Sequence, residues 1–145
     1  MIYTITSNNE TLAKYKEYYF NKYPNRRVFP IDTPIHPSMN VWIKMQSFKQ
    51  DSLKKAWGEY AEWLVEYHGY KNLMIEKCSC RIEIYKPTKR RFDLDNHGCL
   101  KFFNDGLVKA GLIIDDDVNH LNPVTIYGGY DKENPRMEVH FFVGE

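Results

Sequence analysis

Apolar positions change their period along the chain, and each change marks an element. From Ser47 to Tyr67, Leu53, Trp57, Tyr60, Leu64 and Tyr67 recur at alternating steps of four and three, which predicts one helix with a single inward stripe. Lys54, Lys55, Glu59, Glu62 and Glu66 fill its other positions, Gly58 interrupts it, and Gly69 is placed to stop it. From Leu73 to Lys86 the period becomes two. Cys78, Cys80, Ile82 and Ile84 share one face, and Lys77, Ser79, Arg81 and Glu83 share the other, as in a half-buried strand. Arg91 to Asp95 reads as a short strand end. Leu100, Phe103, Leu107 and Ala110 then predict a helix over Asn96–Ala110, stopped by Gly111, and Leu112-Ile113-Ile114 leads back to the body. Pro123–Tyr127 and Arg136–Val143 are strand-like, with Met137, Val139, Phe141 and Val143 alternating inward. The Gly128-Gly129 pair and the 131–135 turn between them suggest a hairpin.

The first thirty residues carry a weaker pattern. Met1–Thr6 alternates as a short strand, and Ser7 to Glu10 reads as a capping box with Ser7 as N-cap. The helix behind it runs to about Lys22, with Leu12, Tyr15 and Tyr19 as an apolar stripe broadened by Tyr18, Phe20 and Tyr23. Those tyrosines either pack on the body of the domain or a partner subunit, or stack on bases. Arg26–Asp32 reads as a further strand, and Pro34, Pro37 and Asn40 mark irregular backbone beyond it, with His36 an ordinary loop histidine. Taken together, these elements predict an α+β fold: a mixed sheet with the helices Ser47–Tyr67 and Asn96–Ala110 upon it. The chain divides into an N-terminal extension, 1–30, and a main domain, 31–145.

At 145 residues, 15% of them aromatic, the chain has the material for one well-filled core. A net charge of +1 carries no nucleic-acid signal by itself, so such a signal has to come from local clusters. No hydrophobic run approaches a membrane span, and the first residues lack a signal-peptide core. Three cysteines argue against a disulfide framework and fit a reducing compartment, so a cytoplasmic location is expected.

The chemistry gathers between Lys86 and Asp117. A basic run, Lys86, Lys89, Arg90 and Arg91, leads into Asp93 and Asp95; Lys101 and Asp105 follow, and then the turn Asp115-Asp116-Asp117. On a strand, Asp93 and Asp95 would share one face. On a helix, Lys101 and Asp105, four apart, would be neighbours. Strand end, helix start and second strand end would then converge on one patch. Carboxylates beside cations suit a hard divalent ion that meets a polyanion.

The residues D-L-D-N, a lysine shortly after, D-G-L-V-K-A-G-L and D-D-D resemble the signature of RusA-type Holliday-junction resolvases. The P-I-H-P-S-M-N segment resembles the Pro- and Asn-containing stretch near that family's first strand, with Trp42, Lys44 and Lys49 just beyond it. The resemblance covers roughly Pro34 to the C-terminus. It implies a RusA-like nuclease domain and a homodimer that cuts four-way DNA junctions with Mg²⁺, or Mn²⁺ in its place. Asp93, Asp95 and Asp116 match the metal-binding carboxylates, Asp105 and Asp115 the supporting acids, and Lys101 the catalytic lysine. Lys86, Lys89, Arg90 and Arg91 would hold backbone phosphates. His97-Gly98 is a two-residue departure from the family pattern, and it keeps open a homologue that binds DNA without cutting it.

Other readings of the same residues are a calcium loop, a zinc site and a plain charged surface. D-L-D-N-H-G opens like an EF-hand, yet Asn104 stands where its bidentate Glu is required. Cys78, Cys80, His97 and Cys99 make four zinc-type ligands, but Cys-x-Cys is not the usual spacing, and two of the thiols lie on an apolar strand face. Each aspartate alone is most simply solvated; their joint spacing is what raises the functional reading.

Overall fold

The computed structural model describes residues 1–144. It is an α+β domain with one four-stranded mixed sheet and five helices. In chain order these are β1 (Ile2–Ser7), α1 (Asn9–Lys22), α2 (Met39–Ile43), α3 (Ser47–Tyr67), β2 (Cys78–Lys86), α4 (Leu94–His97), α5 (Asn104–Lys109), β3 (Leu121–Tyr130) and β4 (Arg136–Phe142). The strand order is β1-β4-β2-β3. β2 is therefore bonded on both edges, antiparallel to β4 and parallel to β3.

The period-two pattern works as expected in β2 and β4. Cys78, Cys80, Ile82, Ile84, Met137, Val139 and Phe141 point into the core, and their alternates form the outer face of the sheet. α3 spans the predicted residues and buries Trp57, Tyr60 and Leu64, with Ala56, Ala61 and Val65 beside them. Burying each large side chain is worth about 1.5–3 kcal/mol. That outweighs the roughly 1 kcal/mol that Gly58 costs a helix. Gly69 and Gly111, at φ 82° and 76°, take the left-handed conformation that ends the helical runs before them.

Residues 1–30 belong to the same core. β1 lies along β4, from Ile2 opposite Phe142 to Ser7 opposite Met137. Leu12, Tyr15 and Tyr19 of α1 are buried, with the Tyr15 ring centroid 4.9 Å from that of Tyr60 and 5.4 Å from that of Trp63. The stripe thus packs on the body of the domain. The Tyr60 hydroxyl is fully buried, 2.9 Å from Ser7 Oγ and 3.1 Å from Thr11 Oγ1, while Ser7 Oγ donates to Pro34 O at 2.7 Å. One buried network therefore ties β1, α1, α3 and the loop at 34, as a polar group shut away from water requires.

Four local expectations are corrected. The N-cap is Asn8, not Ser7, and Thr11 completes the capping box, because the Ser7 hydroxyl is engaged in the buried network. Arg26–Asp32 is not a strand; the sheet's four places are filled without it. β3 and β4 are not a hairpin, because β2 lies between them and takes the hydrogen bonds a hairpin would have made. The helix expected over Asn96–Ala110 is two short ones, α4 and α5, joined by turns. The break allows the consecutive Phe102 and Phe103 both to be buried, along with Leu100 and His97. On an uninterrupted helix, neighbours lie about 100° apart and only one would face squarely inward.

α5 is seated unusually closely on α3. A Cβ on Gly106 would run into the Gly58 carbonyl oxygen and stand 2.8 Å from both Ala61 Cβ and Glu62 N. A Cβ on Gly58 would meet nothing within 4 Å. Gly106→Ala should therefore cost about 1–3 kcal/mol, since backbone must shift, whereas Gly58→Ala should gain up to about 1 kcal/mol. Urea unfolding of the two variants, which should move in opposite directions from the parent, checks this.

Candidate metal and nucleic-acid site

Parallel strands need a crossover, and here the crossover from β2 to β3 carries the whole of the chemistry-rich stretch. Lys86 ends β2, half-buried, with its ammonium 5.5 Å from the centre of the Phe92 ring, and burial lowers its pKa. Lys89, Arg90 and Arg91 follow on exposed loop, held to the sheet where Tyr130 OH donates to Arg90 O at 3.0 Å. Among the described residues the ion pairs of lysines and arginines involve Lys14, Lys54, Lys71, Arg81, Lys109 and Arg136, and so none of this basic run.

Arg91–Asp95 is not a strand end. Asp93 is the N-cap residue of α4 and Asp95 sits in its first turn, because Asn96 N donates to Asp93 O and Gly98 N to Leu94 O, curling the backbone. Both carboxylates are exposed, two residues apart on a helix start instead of sharing a strand face. α4 itself rests on β3: a Cβ on Gly98 would strike the Ile126 side chain, and one on Gly128 would lie 3.0 Å from Phe92.

Lys101 lies in the turns between α4 and α5, with its ammonium 4.7 Å from the Trp42 ring centroid. Asp105, in the first turn of α5, reaches Lys54 at 3.9 Å, an exposed pair of small energetic weight. The predicted Lys101–Asp105 pairing is thus replaced, since the two residues no longer belong to one helix. Asp115 and Asp116 stand on the exposed turn after Ile114, where Asp116 N donates to Asp115 Oδ1 at 2.8 Å. Partial burial raises the Asp116 pKa, and the neighbouring Asp115 and Asp105 raise it further. These three acids therefore share one electrostatic neighbourhood. Asp117 is drawn elsewhere: its carboxylate pairs with His120, which lowers its pKa.

A different set of ligand-type atoms is the tightest. Glu83 of β2, with Glu138 and His140 of β4, forms a candidate metal-binding cluster whose ligand atoms lie within 4.8 Å of one another, and no other such group occurs among the described residues. It sits on the outer face of the sheet. Arg81 Nε meets Glu83 at 2.9 Å, Arg136 pairs with Glu138, Tyr85 OH donates to Glu83, and Thr4 Oγ1 lies 2.8 Å from His140 Nδ1. The alternation marked Glu83 as outward. Its meeting with Glu138 depends on strand register, which no local pattern reveals. The zinc-type reading fares worse: Cys78 and Cys80 are buried on β2, and burial pushes the Cys80 thiol up to about 12.

His36 is no ordinary loop histidine. It is 1% exposed and His97 is 6% exposed, and their rings stack with centroids 6.1 Å apart. His36 Nδ1 donates to Pro37 O at 2.9 Å, leaving Nε2 without a partner. Burial lowers both pKa values, that of His97 to about 4. No family model matches the chain, and no curated protein matches it significantly. Among the described residues no helix is long and apolar enough to cross a membrane.

The buried His36 has a consequence for stability. Its folded pKa lies below the ordinary 6.5, so as pH falls below that value the unfolded chain takes up a proton the folded chain refuses, and stability drops. His36→Phe, which keeps the ring but removes the titration, should flatten this slope in urea unfolding series between pH 7 and pH 4.5.

Proposed function

We propose that this protein is a Mg²⁺-dependent endonuclease that cuts branched DNA, the four-way junction above all, acting as a homodimer. The observation that carries the reading is the crossover: the unpaired basic run, the exposed Asp93 and Asp95, and the acidic turn at Asp115–Asp116 all belong to one connection between two parallel strands. Its donors are carboxylate oxygens, the ligand type that Mg²⁺ or Mn²⁺ takes. Asp116 fits such an ion in a second way, since burial and its acidic neighbours resist its charge. A nearby cation would relieve that resistance.

Asp93, Asp95 and Asp116 would hold the ion, with Asp105 and Asp115 adding negative potential behind them. When bound, the ion would supply an activated water and neutralise charge on the phosphate. Lys89, Arg90 and Arg91, exposed and without carboxylate partners, hold backbone phosphates and position the DNA without reading its sequence. Lys101 has no described carboxylate within ion-pair reach, so its ammonium can turn from Trp42 to a phosphate or leaving oxygen. Two sites in a two-fold dimer match the approximate symmetry of a junction. Three free thiols agree with a cytoplasmic setting.

A second reading, DNA binding without cleavage, draws on one observation: the three expected ligands do not form a group within 4.8 Å of one another. Cleavage of a synthetic four-way junction with and without Mg²⁺ separates the two. Asp95→Asn and Asp116→Asn should each bring Mg²⁺-dependent cleavage to background while junction binding persists. Lys101→Ala should slow single-turnover cleavage by about 10²-fold, and Lys109→Ala, whose lysine is paired with Glu62, should leave it unchanged. Parental cleavage by Asp95→Asn would overturn the metal assignment. Replacing both Arg90 and Arg91 by Ala should lower the slope of log affinity against log salt by about 0.9 per lost phosphate contact.

A further inference from the structure

α2 covers only part of its apolar surface: Met39 and Trp42 pack half-buried against the core, and the rest faces outward. Its sequence, Met39 to Ile43, is largely apolar, yet none of its residues is buried. Val41 is 54% exposed, Ile43 65%, and Phe48, at the start of α3, 63%. Scattered exposed apolar residues are ordinary, but three within eight positions on one short projection are not.

The projection is braced. Ser38 caps α2 through Val41 N at 3.3 Å. Gln50 Nε2 donates to Trp42 O at 3.0 Å and Ile43 O at 3.4 Å, and Trp42 Nε1 donates back to Gln50 O at 3.4 Å. These bonds satisfy carbonyls that the end of α2 leaves open, and they fix the apolar tip against α3. Lysines flank it, and the next acid along the chain is Asp51. The stretch 39–50 contains Lys44 and Lys49 and no acid. Lys101 stands over Trp42 at 4.7 Å. None of these three lysines has an ion-pair partner among the described residues. α2 also packs beside α4, the helix that carries Asp95.

We propose that this tip is a wedge for DNA: Val41, Ile43 and Phe48 enter between bases at a branch point while Lys44, Lys49 and Lys101 hold the flanking phosphates. This rests on the branched-DNA reading above and adds how the branch is recognised. Apolar side chains ringed by lysine suit nucleic acid, whose base faces are apolar and whose backbone is anionic. A second copy of this chain would bring the same lysines face to face with no acids within the tip to meet them, which disfavours self-association there. At a branch point the strands exchange between arms, so the stack there opens more readily than in a continuous duplex.

The test uses a four-way junction with 2-aminopurine at its centre, in Ca²⁺ to hold back cleavage, and compares the parent protein with the surface variants Ile43→Ser, Phe48→Ser and their double, each checked for parental circular dichroism. Binding by the parent should raise 2-aminopurine emission, and the double variant should lose that rise. Anisotropy should show its preference for junction over plain duplex falling by about tenfold or more, the weight of a lost base-stacking contact, with duplex affinity retained. If the parent binds and cleaves the junction but emission does not change, or changes equally in the double variant, the wedge is overturned and the nuclease reading stands. If the parent neither prefers nor cleaves the junction, the branched-DNA reading fails and the wedge with it. If light scattering shows the parent dimeric and the double variant monomeric, the tip is an interface between copies, and the wedge is overturned.

Discussion

The parallel ladder between β2 and β3 is the constraint on which the rest depends. From Cys78 opposite Leu121 to Lys86 opposite Tyr130 the two strands run the same way, so no tight turn can join them. The chain must leave the end of β2, travel back over the domain and re-enter beside its own starting level. Everything from the basic run to the acidic turn is spent on that return. The path stays close to the body because Gly106 lets α5 approach the α3 backbone and because Phe102 and Phe103 both find room beneath it. Central β2, with neighbours on both edges, fixes where the return begins and ends.

How far the sequence carried these features depended on their range. The bounds of α3 could be read, since its stripe repeats over many turns and no single neighbour decides it, although Tyr67 at its end faces outward. The inward and outward faces of β2 were equally legible, as were the stops at Gly69 and Gly111. The β3–β4 hairpin misled because its signals, Gly128-Gly129 and the 131–135 turn, are local, while the strand that separates β3 from β4 comes some forty residues earlier in the chain. The candidate site divides the same way. Which residues bear charge between Lys86 and Asp117 was plain. The placing of Asp105 by Lys54, of Lys101 over Trp42 and of Glu83 opposite Glu138 followed from packing and register that no spacing encodes.

His97 and Gly98 each have a structural use. His97 is packed against His36 and Phe92, and Gly98 ends α4 where any side chain would strike Ile126. Burial lowers the His97 pKa, and the nearby Lys86 ammonium and His36 oppose a positive charge there further.

The outer faces of β2 and β4 are lined by charged side chains that pair with one another. Arg81 with Glu83, and Arg136 with Glu138, each answer one another within the same pair of strands. Charges matched so locally leave little field beyond a few ångströms and hold their water tightly. A partner laid flat on this wall would have to strip that hydration and gain little in return. Along β2 and β4 this wall therefore offers an apolar partner little to gain by docking.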